Sequence, residues 1–255
     1  MTVPEIRPDT RSATGEVRIE APPEVVWKAL TDAAELERWF PLEARVEPGE
    51  GGKIWMSWKN EFAAESAILA WDPPRHLRTT WGFEGEGPPQ VTDYRLEGEG
   101  GSTVLRVVTS GFPVDPSWDA WVEGTVDGWL FELASLRLYL EEHHGEPRRT
   151  IYLRRRVPLS YAEAWARLVS PEGFGARPLG GEPFHERPER QYAAVVPELG
   201  GALFRMSLEP CMPDPGAHDV TLWLSGWGDA GAAFDAIERE WAATLERLYP
   251  EGEPV

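Results

Sequence analysis

Between residues 15 and 20 the chain alternates Val17 and Ile19 with Glu16, Arg18 and Glu20, the period-two pattern of a strand with one buried face. Pro22 and Pro23 stop that pattern and suit the first turn of a helix. Val26 and Leu30, joined by Trp27, make the inner stripe of this helix, and Asp32 is placed to cap a second, short one carrying Leu36, Trp39 and Phe40 before Pro41 ends it. From about 43 to 112 the period is two again, broken by Pro48-Gly49 and by glycine- and proline-rich stretches at 84–89 and 97–101, which predicts consecutive antiparallel strands. A helical stripe then runs over about 118–143 through Val122, Val126, Trp129, Leu130, Leu133, Leu136 and Leu140, so one face of a long helix is expected on the sheet. His143 and His144 fall in its last turn, where they suit the helix dipole; the alternative, a metal pair, is disfavoured because adjacent helical side chains diverge by about 100° and no third ligand lies nearby in sequence.

Gly145 to Pro147 reads as a boundary, and a similar order follows it. A strand is predicted at 151–157, a helix at 162–169, an irregular stretch at 171–190, strands at 191–196, 201–209 and 218–224, and a closing helix at 231–248 with Phe234, Ile237, Trp241, Leu245 and Leu248 on one side. Trp27-x-x-Leu30 is echoed by Trp165-x-x-Leu168, Trp129 with Leu133 and Leu136 by Trp241 with Leu245 and Leu248, and Ser110-Gly111-Phe112 by Ser225-Gly226-Trp227. The chain therefore reads as an internal duplication: a flexible tail over 1–14, a first domain over 15–147, and a shortened, degenerate copy over 148–255.

Length and charge narrow the classes. At 255 residues there is room for two domains, each with its own core. Asp and Glu number 43 against 25 Lys and Arg, and the formal charge of −18 opposes binding to phosphate backbones or anionic membrane surfaces. Nucleic acid is not an expected partner. The one cysteine, Cys211, excludes an internal disulfide and lies in a loop pattern with no Lys, Arg or His beside it to activate the thiol. With no charged-then-apolar leader and no run of about 18 apolar residues, a cytoplasmic protein without membrane insertion is expected.

Ala21-Pro22 with Trp27 and Leu30, Trp39-Phe40, Gly51-Gly52, Asp72-Pro73-Pro74-Arg75, Thr80-Trp81, the strand from Thr103 ending in Ser110-Gly111-Phe112, and Gly128-Trp129 follow one another in this order. In that order they resemble the family named for the activator of the 90-kDa heat-shock protein ATPase, within the START-like (SRPBCC) superfamily. The resemblance covers roughly residues 15 to 145, and over 150 to 250 it rests on the duplicated ends. It implies an α+β class with two tandem helix-grip domains, each an antiparallel curved sheet wrapped around a long C-terminal helix. An apolar cavity is implied for the first; the shortening of the second puts a cavity there in doubt. Members of the family act as ligand carriers, as stress-associated proteins and as co-chaperones, so the resemblance implies a fold more firmly than a function.

Local catalytic motifs are absent: there is no His-Glu-x-x-His, Cys-x-x-Cys, Gly-x-Ser-x-Gly or dinucleotide fingerprint, and 97–101 lacks the Gly-Lys-Ser/Thr of a phosphate loop. The polar side chains with most scope in the first sheet are Glu65, His76, Asp93, Tyr94 and Arg106, about half of which must face solvent on alternating strands. The positive feature is aromatic, with 13 tryptophans in the chain. Trp39, Phe40, Trp55, Phe62, Trp71, Trp81, Phe83, Tyr94, Trp118 and Trp129 are the expected wall of a pocket for a small apolar or aromatic ligand. The same rings could instead fill the interior. Alternation also separates Trp55 from Trp58, so some rings must lie outside, where a patch would serve a protein contact. The expectation is non-enzymatic binding, with no catalytic residue, metal or cofactor. The alternatives are a co-chaperone-like or stress-associated interaction module, with a protein partner or homodimer, and a cyclase-like or self-sacrificing resistance protein that uses the cavity as a reaction site.

Overall fold

The alternation around Val17 and Ile19 belongs to a longer strand, β1 (Arg11–Ile19), whose early residues are legible only in pairing: Ala13 is fully buried, and the Ser12 hydroxyl donates to that of Ser110 at 3.0 Å. The loose tail expected over 1–14 is thereby corrected for Arg11–Thr14. The structure, a computed structural model, describes residues 10–58, 63–81, 90–210 and 217–255, apart from the side chains at 81 and 230–232. The chain divides into two units, Met1–Gly145 and Glu146–Val255.

In the first unit Pro23 opens α1 (Pro23–Thr31), and Asp32 Oδ1 accepts the Glu35 amide at 3.1 Å to cap α2 (Ala33–Leu36). Six strands follow: β2 (Glu43–Glu47), β3 (Lys53–Ser57), β4 (Ala63–Asp72), β5 (His76–Trp81), β6 (Gln90–Glu99) and β7 (Ser102–Phe112). With β1 they make one antiparallel sheet in the order β1-β7-β6-β5-β4-β3-β2. Gly100 and Gly101 take positive φ between β6 and β7, so the glycine-rich 97–101 stretch is the hairpin turn its position suggests. The unit closes on α3 (Asp119–Glu142).

Two contacts seat α3 on the sheet. A Cβ at Gly15 would lie 2.8 Å from Leu133 Cδ1 and 3.1 Å from Trp129 Cβ, so the helix approaches β1 as closely as a glycine permits. Trp129 is 4% exposed, and its Nε1–H donates to Thr109 Oγ1 on β7 at 2.9 Å. Leu133, Leu136 and Leu140 are buried as expected, with Phe131 and Tyr139 besides. Leu130, expected in the stripe, is instead 39% exposed, because it sits about 100° round the helix from Trp129.

The second unit runs β8 (Arg148–Val157), α4 (Tyr161–Leu168), β9 (Glu182–Arg187), β10 (Gln191–Val196), β11 (Ala202–Pro210), β12 (His218–Trp227), α5 (Phe234–Leu248) and β13 (Glu253–Pro254), with its antiparallel sheet ordered β13-β8-β12-β11-β10-β9. β9 lies inside the stretch expected to be irregular. Its sequence, Glu-Pro-Phe-His-Glu-Arg, carries no apolar alternation and a proline that only an edge strand tolerates, so its register comes from pairing with β10. α4 starts with a capping box between Ser160 and Glu163. Trp241 of α5 meets Phe204 edge-on at 5.3 Å and Phe174 at 5.7 Å, which places the closing helix on its own sheet. Each unit therefore combines a curved antiparallel sheet with a closing helix, the α+β helix-grip arrangement. No helix among the described residues is long and apolar enough to cross a membrane.

Candidate functional site

The first unit's cavity follows from strand parity. Leu77, Thr79 and Tyr94 point to one side of β5 and β6, opposite to His76, Arg78 and Asp93, and Leu77 pairs with Tyr94 across the ladder. Ile54 and Met56 from β3 and Ser66 from β4 reach the same space. Its other wall comes from Leu30 of α1, Leu36 of α2, and Trp39 and Phe40 just beyond. The cavity measures about 20 Å³, room for about one water molecule.

Three polar groups are set in this apolar lining. Ser66, Thr79 and Tyr94 are respectively 3%, 4% and 7% exposed, and among the described residues their hydroxyls make no hydrogen bond. Burial pushes the Tyr94 phenol well above its ordinary value, so it remains a protonated donor. The hydroxyls next in line are satisfied: Thr92, which faces Thr79 across the β5–β6 ladder, bonds Thr109 Oγ1 through its own Oγ1 at 3.0 Å, and Thr109 accepts from Trp129. The indole of Trp39 is likewise satisfied, donating to Ala29 O at 2.9 Å.

Polar contacts with α3 hold the helical wall. Ser135 Oγ donates to Trp39 O at 2.8 Å, and the Tyr139 hydroxyl donates to Glu35 Oε2 at 2.5 Å. Lys28 Nζ and Arg38 Nη1 each reach Glu35 Oε1 at 3.1 Å. Burial alone would raise the Glu35 carboxyl, but the hydrogen bonds from Tyr139 and Lys28 and the charges of Lys28 and Arg38 hold it below the usual carboxylate value.

Of the expected wall, Trp39, Phe40 and Tyr94 line the cavity. Trp129 stands behind them, 5.9 Å from the Phe40 ring and 5.8 Å from Tyr94. Three placements are corrected. Trp55 alternates with the inward Ile54 and Met56, so it lies on the other face, under the Arg45 guanidinium at 4.5 Å. Trp71 packs edge-on against Trp27 of α1 at 5.1 Å, and Trp118 is half-buried at the start of α3; neither lines the cavity. Phe62, Phe83 and the Trp81 side chain lie outside what the structure describes, as does Cys211. Ser66 and Thr79 were not among the expected residues. Their signal is parity: Thr79 shares a face with Leu77, and Ser66 with Ile68.

Tyr94 apart, the polar residues named in the sheet form pairs away from the cavity. His76 Nε2 bonds Asp93 Oδ1 at 2.7 Å with Arg78 3.6 Å from the other oxygen, Arg106 meets Glu16 at 3.1 Å, and Glu65 meets Lys53 at 2.5 Å. Among the described residues no group of His, Cys, Asp and Glu could hold a metal ion.

Residues 20–141 match the family described as Activator of Hsp90 ATPase homolog 1-like protein. Among solved structures, protein MLL2253 from Mesorhizobium loti is 27% identical over 51% of this chain and 97% of its own, with a TM-score of 0.47. CalU16 from Micromonospora echinospora is 29% identical over 52% of this chain and 75% of its own, with a TM-score of 0.44. DynU16, a putative protein in the dynemicin biosynthetic locus, is 20% identical over 93% of this chain and 96% of its own, with a TM-score of 0.47. No curated protein matches the sequence.

Proposed function

We propose that the first unit binds a small apolar or aromatic molecule in the cavity between α1–α2 and the sheet, and does not transform it. One observation carries this reading: an apolar lining interrupted by three buried hydroxyls that have no partner among the described residues, the composition of a binding pocket with a few orienting groups. Catalysis asks for a general base or an activated nucleophile at the reacting atoms, and the lining offers only neutral hydroxyls, the Tyr94 phenol being held protonated. The cavity is water-sized as described, so a larger guest enters by repacking the wall, for which the unbranched Met56 is suited. We infer also that the second unit arose by duplication and was shortened, since both run strand, helix, antiparallel strands, helix. The first unit then retains the binding role.

Tryptophan fluorescence tests the reading, because Trp39 lines the cavity and Trp129 stands behind it. Titration with single-ring and polycyclic aromatics should quench at affinities no tighter than about 1 μM, or ~8 kcal/mol, with mass spectrometry showing every ligand unchanged. The cavity-filling Ser66→Leu should abolish the response. A response that Ser66→Leu leaves intact, no quenching by any ligand, or a changed ligand mass would each overturn the proposal.

A further inference from the structure

The same cavity bears on what kind of guest it takes, and we propose that it selects an uncharged molecule carrying one hydrogen-bonding group, of the phenol type, over both its purely apolar counterpart and a carboxylate. This rests on the binding reading above.

Ser66, Thr79 and Tyr94 come from three neighbouring strands, β4, β5 and β6, and all are more than nine-tenths buried with their hydroxyls unbonded among the described residues. A buried hydroxyl with no partner is unfavourable, so a site with three of them favours whatever brings a donor and acceptor into their midst. The free space of about 20 Å³ is the size of one hydroxyl or one water. A guest hydroxyl there takes over the bonds a water would make, whereas a methyl in its place leaves all three groups stranded. The rest of the lining, Leu30, Leu36, Phe40, Ile54 and Leu77 among it, offers dispersion alone to a ring that enters by repacking the wall.

Charge is disfavoured on the same grounds. Among the described residues no lining side chain is Lys, Arg or His, and the nearby cations Lys28 and Arg38 are already engaged by Glu35. A carboxylate would enter an apolar space with only neutral hydroxyls to meet it, at a desolvation cost that three such bonds do not offset.

Phenol, toluene and benzoate are matched probes, since the first two are nearly the same shape and the third adds charge. Calorimetric titration at neutral pH should find phenol bound about tenfold tighter than toluene, the worth of one to two net hydrogen bonds, and benzoate at least tenfold weaker than phenol. In Thr79→Val and in Tyr94→Phe, each checked for folding by near-ultraviolet circular dichroism, the preference for phenol over toluene should shrink several-fold while toluene binding holds. Should one variant fail to fold, the other carries the same expectation. Toluene or benzoate binding as well as phenol, or a preference unchanged in the folded variants, overturns the selectivity while leaving cavity binding intact. Binding by none of the three removes the binding reading itself, and the selectivity with it.

Discussion

The interiors of the two units are built from the same materials and finished differently. In the second unit the tyrosine hydroxyls of the core end on backbone carbonyls: Tyr192 on Gly181 at 3.1 Å and Tyr249 on Ala164 at 2.7 Å. Its one fully buried carboxylate among the described residues, Asp219, is held by Arg154 at 2.6 Å and Arg156 at 3.0 Å. In the first unit the Glu35 carboxylate is equally well held, yet Tyr94, Ser66 and Thr79 end in a cavity. Buried polar groups without partners cost free energy. One unit closes the bonds of its core tyrosines, though Thr221 Oγ1 there is buried without a partner among the described residues, and the other leaves three hydroxyls facing one cavity, the cluster on which the proposed binding rests.

The largest effects should not distinguish the units. Trp129→Ala in the first and Phe204→Ala in the second each remove a buried aromatic that contacts other rings, and each should cost about 3–5 kcal/mol in urea unfolding, with hydrogen exchange assigning the loss to its unit. A cost below about 1 kcal/mol for Trp129→Ala would place that ring outside the core. Next, Asp219→Ala removes the buried carboxylate that Arg154 and Arg156 share, with Glu209 still favouring the Arg154 charge, and should destabilise the second unit by on the order of 3 kcal/mol. A near-neutral result would show that solvent already screens the pair.

The tyrosines sharpen the comparison. Tyr249→Phe removes a buried hydrogen bond to the Ala164 carbonyl and should cost about 1–2 kcal/mol, whereas Tyr94→Phe removes a hydroxyl with no partner among the described residues and should change stability by less than about 0.5 kcal/mol, or raise it. Equal costs for the two, by thermal melts, would break the distinction. The smallest effect concerns acid. Glu35 is held below its ordinary value, so its contribution is complete above about 4.5 and is lost as the pH falls from there through the folded-state value. The first unit should therefore lose stability on acidification below about 4.5, and Glu35→Gln should flatten that slope; an identical slope in the variant would assign the acid sensitivity elsewhere.

How far the sequence carried this picture differs by residue class. Alternation at Val17 and Ile19, the prolines before α1, the Asp32 cap and the Trp129 stripe were legible because each is set by local sterics or one apolar face. β9 was not, since an exposed edge strand needs no apolar pattern and takes its register from β10. Among the described residues, only Trp39, Phe40 and Tyr94 of the aromatics expected around the site line the cavity. Trp55 was assigned by ring type when parity with Ile54 and Met56 turns it to the other face, and Trp71 is taken up by Trp27. Ser66 and Thr79 were overlooked because a small hydroxyl residue in a strand reads as ordinary; what makes them notable is burial without a partner, which only three-dimensional contacts reveal.

The most direct test of the proposed binding cavity is a residue-resolved nuclear magnetic resonance titration of the intact chain with phenol. Saturable shifts should concentrate on Leu77, Thr79 and Tyr94 and on the Trp39 indole Nε1–H, with the second-unit core around Phe204 and Trp241 unmoved. Shifts centred on that second core, or shifts scattered without saturation over both units, would contradict the account.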